Sequence, residues 1–202
     1  SLPFARSGFL DLTEYPDHFN LWNILGAQGY ETGFYYGGDV NFDRMSPYLE
    51  KQGVRKVLGQ HNFPEGYRLL PQSSAGESWG YEDAAVFAVL AKESGSKPYL
   101  RMALTLSTHN PFLIHESKAY EERFDQRVKE LKSSAQVLAK SNKKALVTVM
   151  QLDDNLRDFI TAYSKRGDFS NTIFIITGDH AMPEIPFETK LDRYRVPLLI
   201  YS

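Results

Sequence analysis

Apolar and polar residues along this chain repeat with two different periods, and the changes of period mark its elements. "YETGFYYGG" (30–38) is a short aromatic-rich run closed by two glycines, which reads as a strand entering a tight turn. "MSPYLEKQG" follows with helical character, Pro47 fitting a first turn where its missing N–H costs nothing. "GVRKVLG" (53–59) is a second short strand, and the Gly, Pro and Ser of 60–78 read as a loop. In "GYEDAAVFAVLAKESG" (80–95), Ala85, Phe87, Val89 and Leu90 fall near helical spacing, and acids near its start suit the helix dipole. "PYLRMALTLST" (98–108) reads as a core strand ending at His109.

From Tyr120 to Ser141 the chain is charge-rich and helical. In "ALVTVMQLDDNLRDFITAYSKRG", Leu146, Val149, Met150, Leu156, Phe159, Ile160 and Tyr163 follow the i, i+3, i+4, i+7 template, with Gly167 past the end. "NTIFIIT" and "RVPLLIY" supply two more strands. Strands separated by helices predict an α/β fold over 1–202, a mainly parallel sheet with helices on both faces. Ligands of such sheets gather at the carboxyl ends of strands, where His109 and Asp179–His180 fall.

Composition narrows the partners. With 23 basic and 25 acidic residues and a net charge of −2, there is no electrostatic reason to expect nucleic acid or an acidic membrane surface, so the expected partner is small. The absence of cysteine excludes disulfides, thiolate zinc sites, a thiol nucleophile and a cysteine-derived formylglycine. No run approaches the roughly 18 apolar residues of a membrane span, so no membrane contact is expected from this segment. The abrupt opening "SLPFARSGF" and the strand-like ending "RVPLLIYS" lead us to expect a piece of a larger domain.

Three constellations carry chemistry. In "TGDHAM" a carboxylate and an imidazole stand side by side after a strand; Asp179 and His180 suit a divalent metal such as manganese or zinc, or else cap a turn and decorate the surface. His109, in "LTLSTHNPF", ends a second apolar run; it is either a site residue or a satisfied loop histidine. "FYYGGDVNFDRM" (34–45) offers backbone donors and the Arg44 guanidinium to an anionic oxygen group, or forms a hairpin with solvated charges. Trp79 either lines a pocket mouth or anchors its loop, and His18, His61 and His115 read as surface histidines.

Taken in order, "YYGGDVNFDRM", "TLSTHNPF", "VMQLDDNLRDFI" and "NTIFIITGDHAMPE" resemble the sulfatase-like branch of the alkaline phosphatase superfamily, most closely lipoteichoic acid synthase-type phosphoglycerol transferases, over about residues 20–202. The resemblance implies that Asp179 and His180 ligate a catalytic divalent metal, manganese first, with zinc, magnesium or calcium as alternatives. It implies that His109 lies at the substrate as a catalytic residue, and that Phe42 and Arg44 contact a phosphate-like group. Phe42 stands where the synthases have Trp, and Tyr35 about where they have a substrate His. The implied substrate is a small anionic ester or lipid head group. The implied setting is an extracytoplasmic domain, periplasmic or cell-surface, of a bacterial membrane-anchored protein.

Family members carry a Thr nucleophile and a further metal-binding acid upstream of the region matched here. Ser1, Pro3 and Arg6 do not reproduce the arylsulfatase signature, and Thr13 and Thr32 lack the nucleophile's neighbourhood. The chain is therefore expected to depend on an upstream part of the same protein and to be inactive alone. A true sulfatase with an upstream formylglycine, or a binding domain that has lost the chemistry, are the rival expectations.

Overall fold

The computed structural model describes residues 14–16 and 18–202, so Ser1, Pro3, Arg6 and Thr13 lie outside the described residues. The chain divides into two compact units, Ser1–Ser117 and Lys118–Ser202.

In the first unit, β1 (Glu31–Tyr36) lies between β2 (Lys56–Leu58) and β3 (Tyr99–Leu104), and both pairings are parallel. Register runs Gly33 to Lys56 and Tyr35 to Leu58 on one side, Glu31 to Tyr99 and Tyr36 to Leu104 on the other. Thr32 through Tyr36 are all buried, as a central parallel strand requires. Helices α1 (Leu21–Ala27) and α3 (Asp83–Lys92) both pack on β1, while α2 (Met45–Lys51) separates β1 from β2 in the chain. The start of α1 is closed reciprocally: the Asn20 side chain accepts from the Asn23 N–H at 3.0 Å, and the Asn23 side chain accepts from the Asn20 N–H at 3.1 Å. The apolar core joins Trp22, Phe34, Tyr36, Leu49, Val54 and Leu106, with Trp22 set edge-on to Phe34 at 6.5 Å.

Because all three strands run the same way, their carboxyl ends share one edge, and the segments beginning at Gly37, Gly59 and Thr105 emerge there. Strand β3 is shorter and less buried than its apolar run suggests: it ends at Leu104, and His109 sits in the turn beyond. The cause is local. The N–H groups of Leu106 and Ser107 are captured by the Asp83 carboxylate, so the chain leaves the ladder.

The second unit opens with α4 (Ser117–Val128), α5 (Ser133–Ser141) and α6 (Lys143–Tyr163). The charge-rich stretch is thus two helices rather than one; at the break the Gln136 amide donates to the Leu131 carbonyl at 2.8 Å. The buried face of α6 also departs from the apolar template. Val149 is exposed, whereas Ala145, Thr148 and Asp154 are buried, Asp154 because Arg123 and Arg157 neutralise it. Strands β4 (Phe174–Thr177) and β5 (Leu198–Tyr201) form a two-stranded antiparallel sheet, the exception in a fold expected to be mainly parallel. No α-helix lies between them to carry a parallel crossover. No helix among the described residues is long and apolar enough to cross a membrane.

Candidate active site

The turn after β1 is built on close backbone contact. A Cβ on Gly37 would lie 2.4 Å from the Tyr81 carbonyl oxygen, so only glycine lets the Tyr81 N–H donate to the Gly37 carbonyl at 2.8 Å. Beyond it, the Asp39 carboxylate accepts from the Asn41 N–H at 2.8 Å and from the Asn41 amide at 3.0 Å, and His61 Nε2 stands 3.4 Å away. These donors, the Asn41 backbone N–H foremost, hold the Asp39 carboxyl below its ordinary range. His61 therefore belongs to this turn; its loop-like sequence surroundings gave no sign of the Asp39 partner.

Asp43 and Arg44 both take left-handed backbone conformations, φ 50° and 58°, rare for residues with a Cβ and a known mark of functional turns. Phe42 beside them is 64 % exposed, and Arg44 is exposed as well. The turn thus presents a guanidinium and an aromatic face at the carboxyl edge of the sheet.

The loop after β3 brings His109 to the same edge. The His109 ring lies against Trp79, centroids 5.3 Å apart at 44°, so Trp79 backs the histidine from the neighbouring loop. His109 Nδ1 is 2.6 Å from the Asn110 carbonyl oxygen, which can only accept. That assigns the proton of the neutral ring to Nδ1 and leaves the Nε2 lone pair available. A cis Asn110–Pro111 bond follows. The cavity bordered by Leu70, Trp79, His109 and Pro111 is only about 10 Å³, about one water's worth of room, so any substrate meets His109 from its exposed side.

Asp83 was readable in the sequence only as an acid at a helix start. It is 1 % exposed, and its carboxylate binds the segment leading to His109. His115 and His18 are half-buried rather than plain surface residues: His115 Nε2 lies 3.0 Å from the Leu69 carbonyl, and His18 Nε2 lies 3.1 Å from the Tyr48 hydroxyl.

Tyr35 is placed differently from Phe42 and Arg44. It is 2 % exposed, with Lys56 over its ring, and burial followed by the Glu93 carboxylate pushes its phenol up to about 12. It packs within the sheet, not at the open edge.

Asp179 and His180 follow β4 in the second unit, their side chains 64 % and 57 % exposed. His180 Nδ1 is 2.9 Å from the Ala181 carbonyl, so again the neutral ring keeps its Nε2 lone pair outward. Asp179 Oδ2 is 3.5 Å from that nitrogen, close enough for both to reach one ion at bond lengths of roughly 2.0–2.2 Å. The pair fits a divalent metal in donor type, tautomer and spacing. Among the described residues, no group of three or more His, Cys, Asp or Glu gathers to complete a coordination sphere.

Comparison with known proteins agrees with this architecture. Lipoteichoic acid synthase-like YvgJ of Bacillus subtilis is 27% identical over the whole chain, which covers 33% of its length. Phosphoglycerol transferase I of Salmonella typhi is 22% identical, with 88% of this chain and 22% of that protein covered. A crystal structure of an alkaline phosphatase superfamily protein from Vibrio parahaemolyticus superposes with a TM-score of 0.63 at 25% identity, covering 91% of this chain and 41% of that one. The chain thus spans a third or less of the curated relatives it matches, and its fold is that of the alkaline phosphatase superfamily. The Sulfatase family profile matches residues 2–202, across both units and through every segment described above, and the chain belongs to that family.

Proposed function

We propose that this chain is the later part of a metal-dependent catalytic domain that transfers or hydrolyses an anionic phosphoester, with a phosphoglycerol head group as the leading substrate class. The observation that carries this reading is the common sheet edge, where the turn bearing Phe42 and Arg44 and the loop bearing His109 emerge together. Two relatives, a lipoteichoic acid synthase-like protein and a phosphoglycerol transferase, support the substrate class.

The roles follow from the groups. Arg44 offers paired N–H donors to non-bridging phosphoryl oxygens, which strengthens binding as charge builds up in the transition state. Phe42 gives the apolar part of the substrate a surface to lie on. His109 takes a proton from an attacking hydroxyl through its outward Nε2, or returns one to the leaving oxygen once protonated. Asp179 and His180 hold a divalent cation, manganese being the leading choice with zinc, magnesium or calcium as alternatives. Bound there, the ion would supply positive charge to stabilise an anionic ester group. The nucleophile is assigned to an upstream part of the same protein, and the domain to the outer side of a membrane that the parent protein spans.

The test uses the full-length protein containing this chain, assayed with manganese on a phosphoglycerol ester and on an aryl sulfate. The expected outcome is turnover of the phosphoester, reduced at least a thousandfold by His180→Ala. Turnover of the sulfate alone would make the protein a true sulfatase. Ligand binding without turnover of either ester would make it a binding domain of the same fold.

A further inference from the structure

We propose that Asp83 is a positioning residue for His109: its buried carboxylate fastens the loop between β3 and His109, and so sets the imidazole against Trp79. The catalytic importance of His109 rests on the function proposed above; its placement by Asp83 does not.

The geometry is specific. Asp83 opens α3, yet its side chain serves a segment far along the chain. One carboxylate oxygen accepts from the Leu106 N–H at 2.7 Å; the other accepts from the Ser107 N–H at 3.2 Å and from the Ser107 hydroxyl. From there the loop closes on itself, the His109 N–H donating to the Leu106 carbonyl at 3.1 Å and the Phe112 N–H to the His109 carbonyl at 2.8 Å. Leu106 thus receives Asp83 at its nitrogen and His109 at its oxygen. Three converging donors require a group that only accepts, and the carboxylate is that group. An asparagine would turn its NH₂ toward one of them. Full burial pushes the Asp83 carboxyl up, an effect that the three hydrogen bonds offset only in part. A protein spends that desolvation where a backbone must be held.

The His109–Trp79 contact supplies a readout independent of activity, because a protonated imidazole quenches an indole it touches. The chain has two tryptophans. Trp22 is buried in the core, its Nε1–H unpaired among the described residues, so Trp22→Phe leaves Trp79 as the reporter. In that background the measured quantity is the change in emission between about pH 8 and pH 5, where imidazole gains its proton, less the change that remains in His109→Ala. The expected result is that Asp83→Asn lowers this His109-dependent amplitude at least threefold, while Ser107→Ala, which keeps both backbone donors, lowers it less than twofold. Equal amplitude in Asp83→Asn and the parent would overturn the proposal, and so would a parent with no His109-dependent amplitude. If Asp83→Asn does not fold, amide exchange in the unaltered chain decides: protected Leu106 and Ser107 N–H groups support the anchor, and exchange at open-loop rates overturns it. In the full-length protein, Asp83→Asn is expected to lower kcat about tenfold with KM within about twofold. Loss of amplitude with full activity in both Asp83→Asn and His109→Ala would leave the anchor standing and reject the catalytic role of His109.

Discussion

At Gly80 the backbone takes φ +144°, and a Cβ there would stand 2.2 Å from the Gly37 carbonyl oxygen. Gly37 and Gly80 are thus two halves of one crossing, which sets Trp79 and Tyr81 against the turn that leads to Arg44. Gly80→Ala meets both a strained φ and a backbone wall, so it is expected to cost roughly 3 kcal/mol. In a thermal melt of the chain this corresponds to a fall in Tm of about 6–12 °C, and a fall below about 2 °C would mean that the crossing relaxes freely. The same scale decides the histidines. His109 and His180 each lie Nδ1-inward on the carbonyl of the following residue, Asn110 and Ala181, which turns Nε2 toward solvent in both. Sequence shows that a histidine is present; the neighbouring carbonyl selects which nitrogen keeps its lone pair.

Elements in this protein are held by carboxylates as much as by apolar stripes. Helices α4 and α6 are joined where Arg123 donates to both oxygens of Asp154, and Arg157 adds a bond of 2.8 Å from one turn on. The Arg123 hydrogen bond, ahead of the other partners, holds the Asp154 carboxyl below its ordinary range. A carboxyl lowered in the folded state stabilises the fold above its unfolded pKa, and that contribution is lost as pH falls through the lower folded value. Asp154 is buried while Arg123 is partly exposed, which places the pair between exposed pairs worth roughly 0–1 kcal/mol and buried ones costing roughly 3–5 kcal/mol to break. Asp154→Ala is expected to destabilise by about 2 kcal/mol near pH 7, by urea unfolding. The difference from the parent should shrink below about pH 4 as both states protonate. A difference that grows on acidification would contradict the assignment. This pair also explains the misread face of α6: periodicity counts apolar residues, and Asp154 is buried through its arginines.

For the molecule as a whole, the match to relatives several times longer and the two-donor pair at Asp179–His180 bear on the same question. Two donors alone bind a divalent ion weakly, since closed sites use four or more. Calorimetric titration of this chain with manganese, beside Asp179→Ala, is expected to give binding in the millimolar range that the substitution removes. Micromolar binding would mean that the chain holds further ligands, and equal binding in the variant would move the ion elsewhere.

What the sequence by itself determined was the family and most of the elements, although α1 went unread and α4 and α5 read as one helix. Strand and helix periods are written in neighbouring residues, so β1, β2, α3 and β4 fell where their patterns placed them, and the ordered segments from Tyr35 to Glu184 carried the resemblance that the Sulfatase match bears out. Tertiary structure decided which polar residues turn inward. Tyr35 and Phe42 are both aromatic residues near one glycine turn, yet one is sealed in the sheet and the other stands open. Asp83 works on Ser107, 24 residues away, and Arg123 on Asp154, 31 residues away. Hydrogen bonds over such separations leave no period in the sequence, because their partners become neighbours only after the chain has folded.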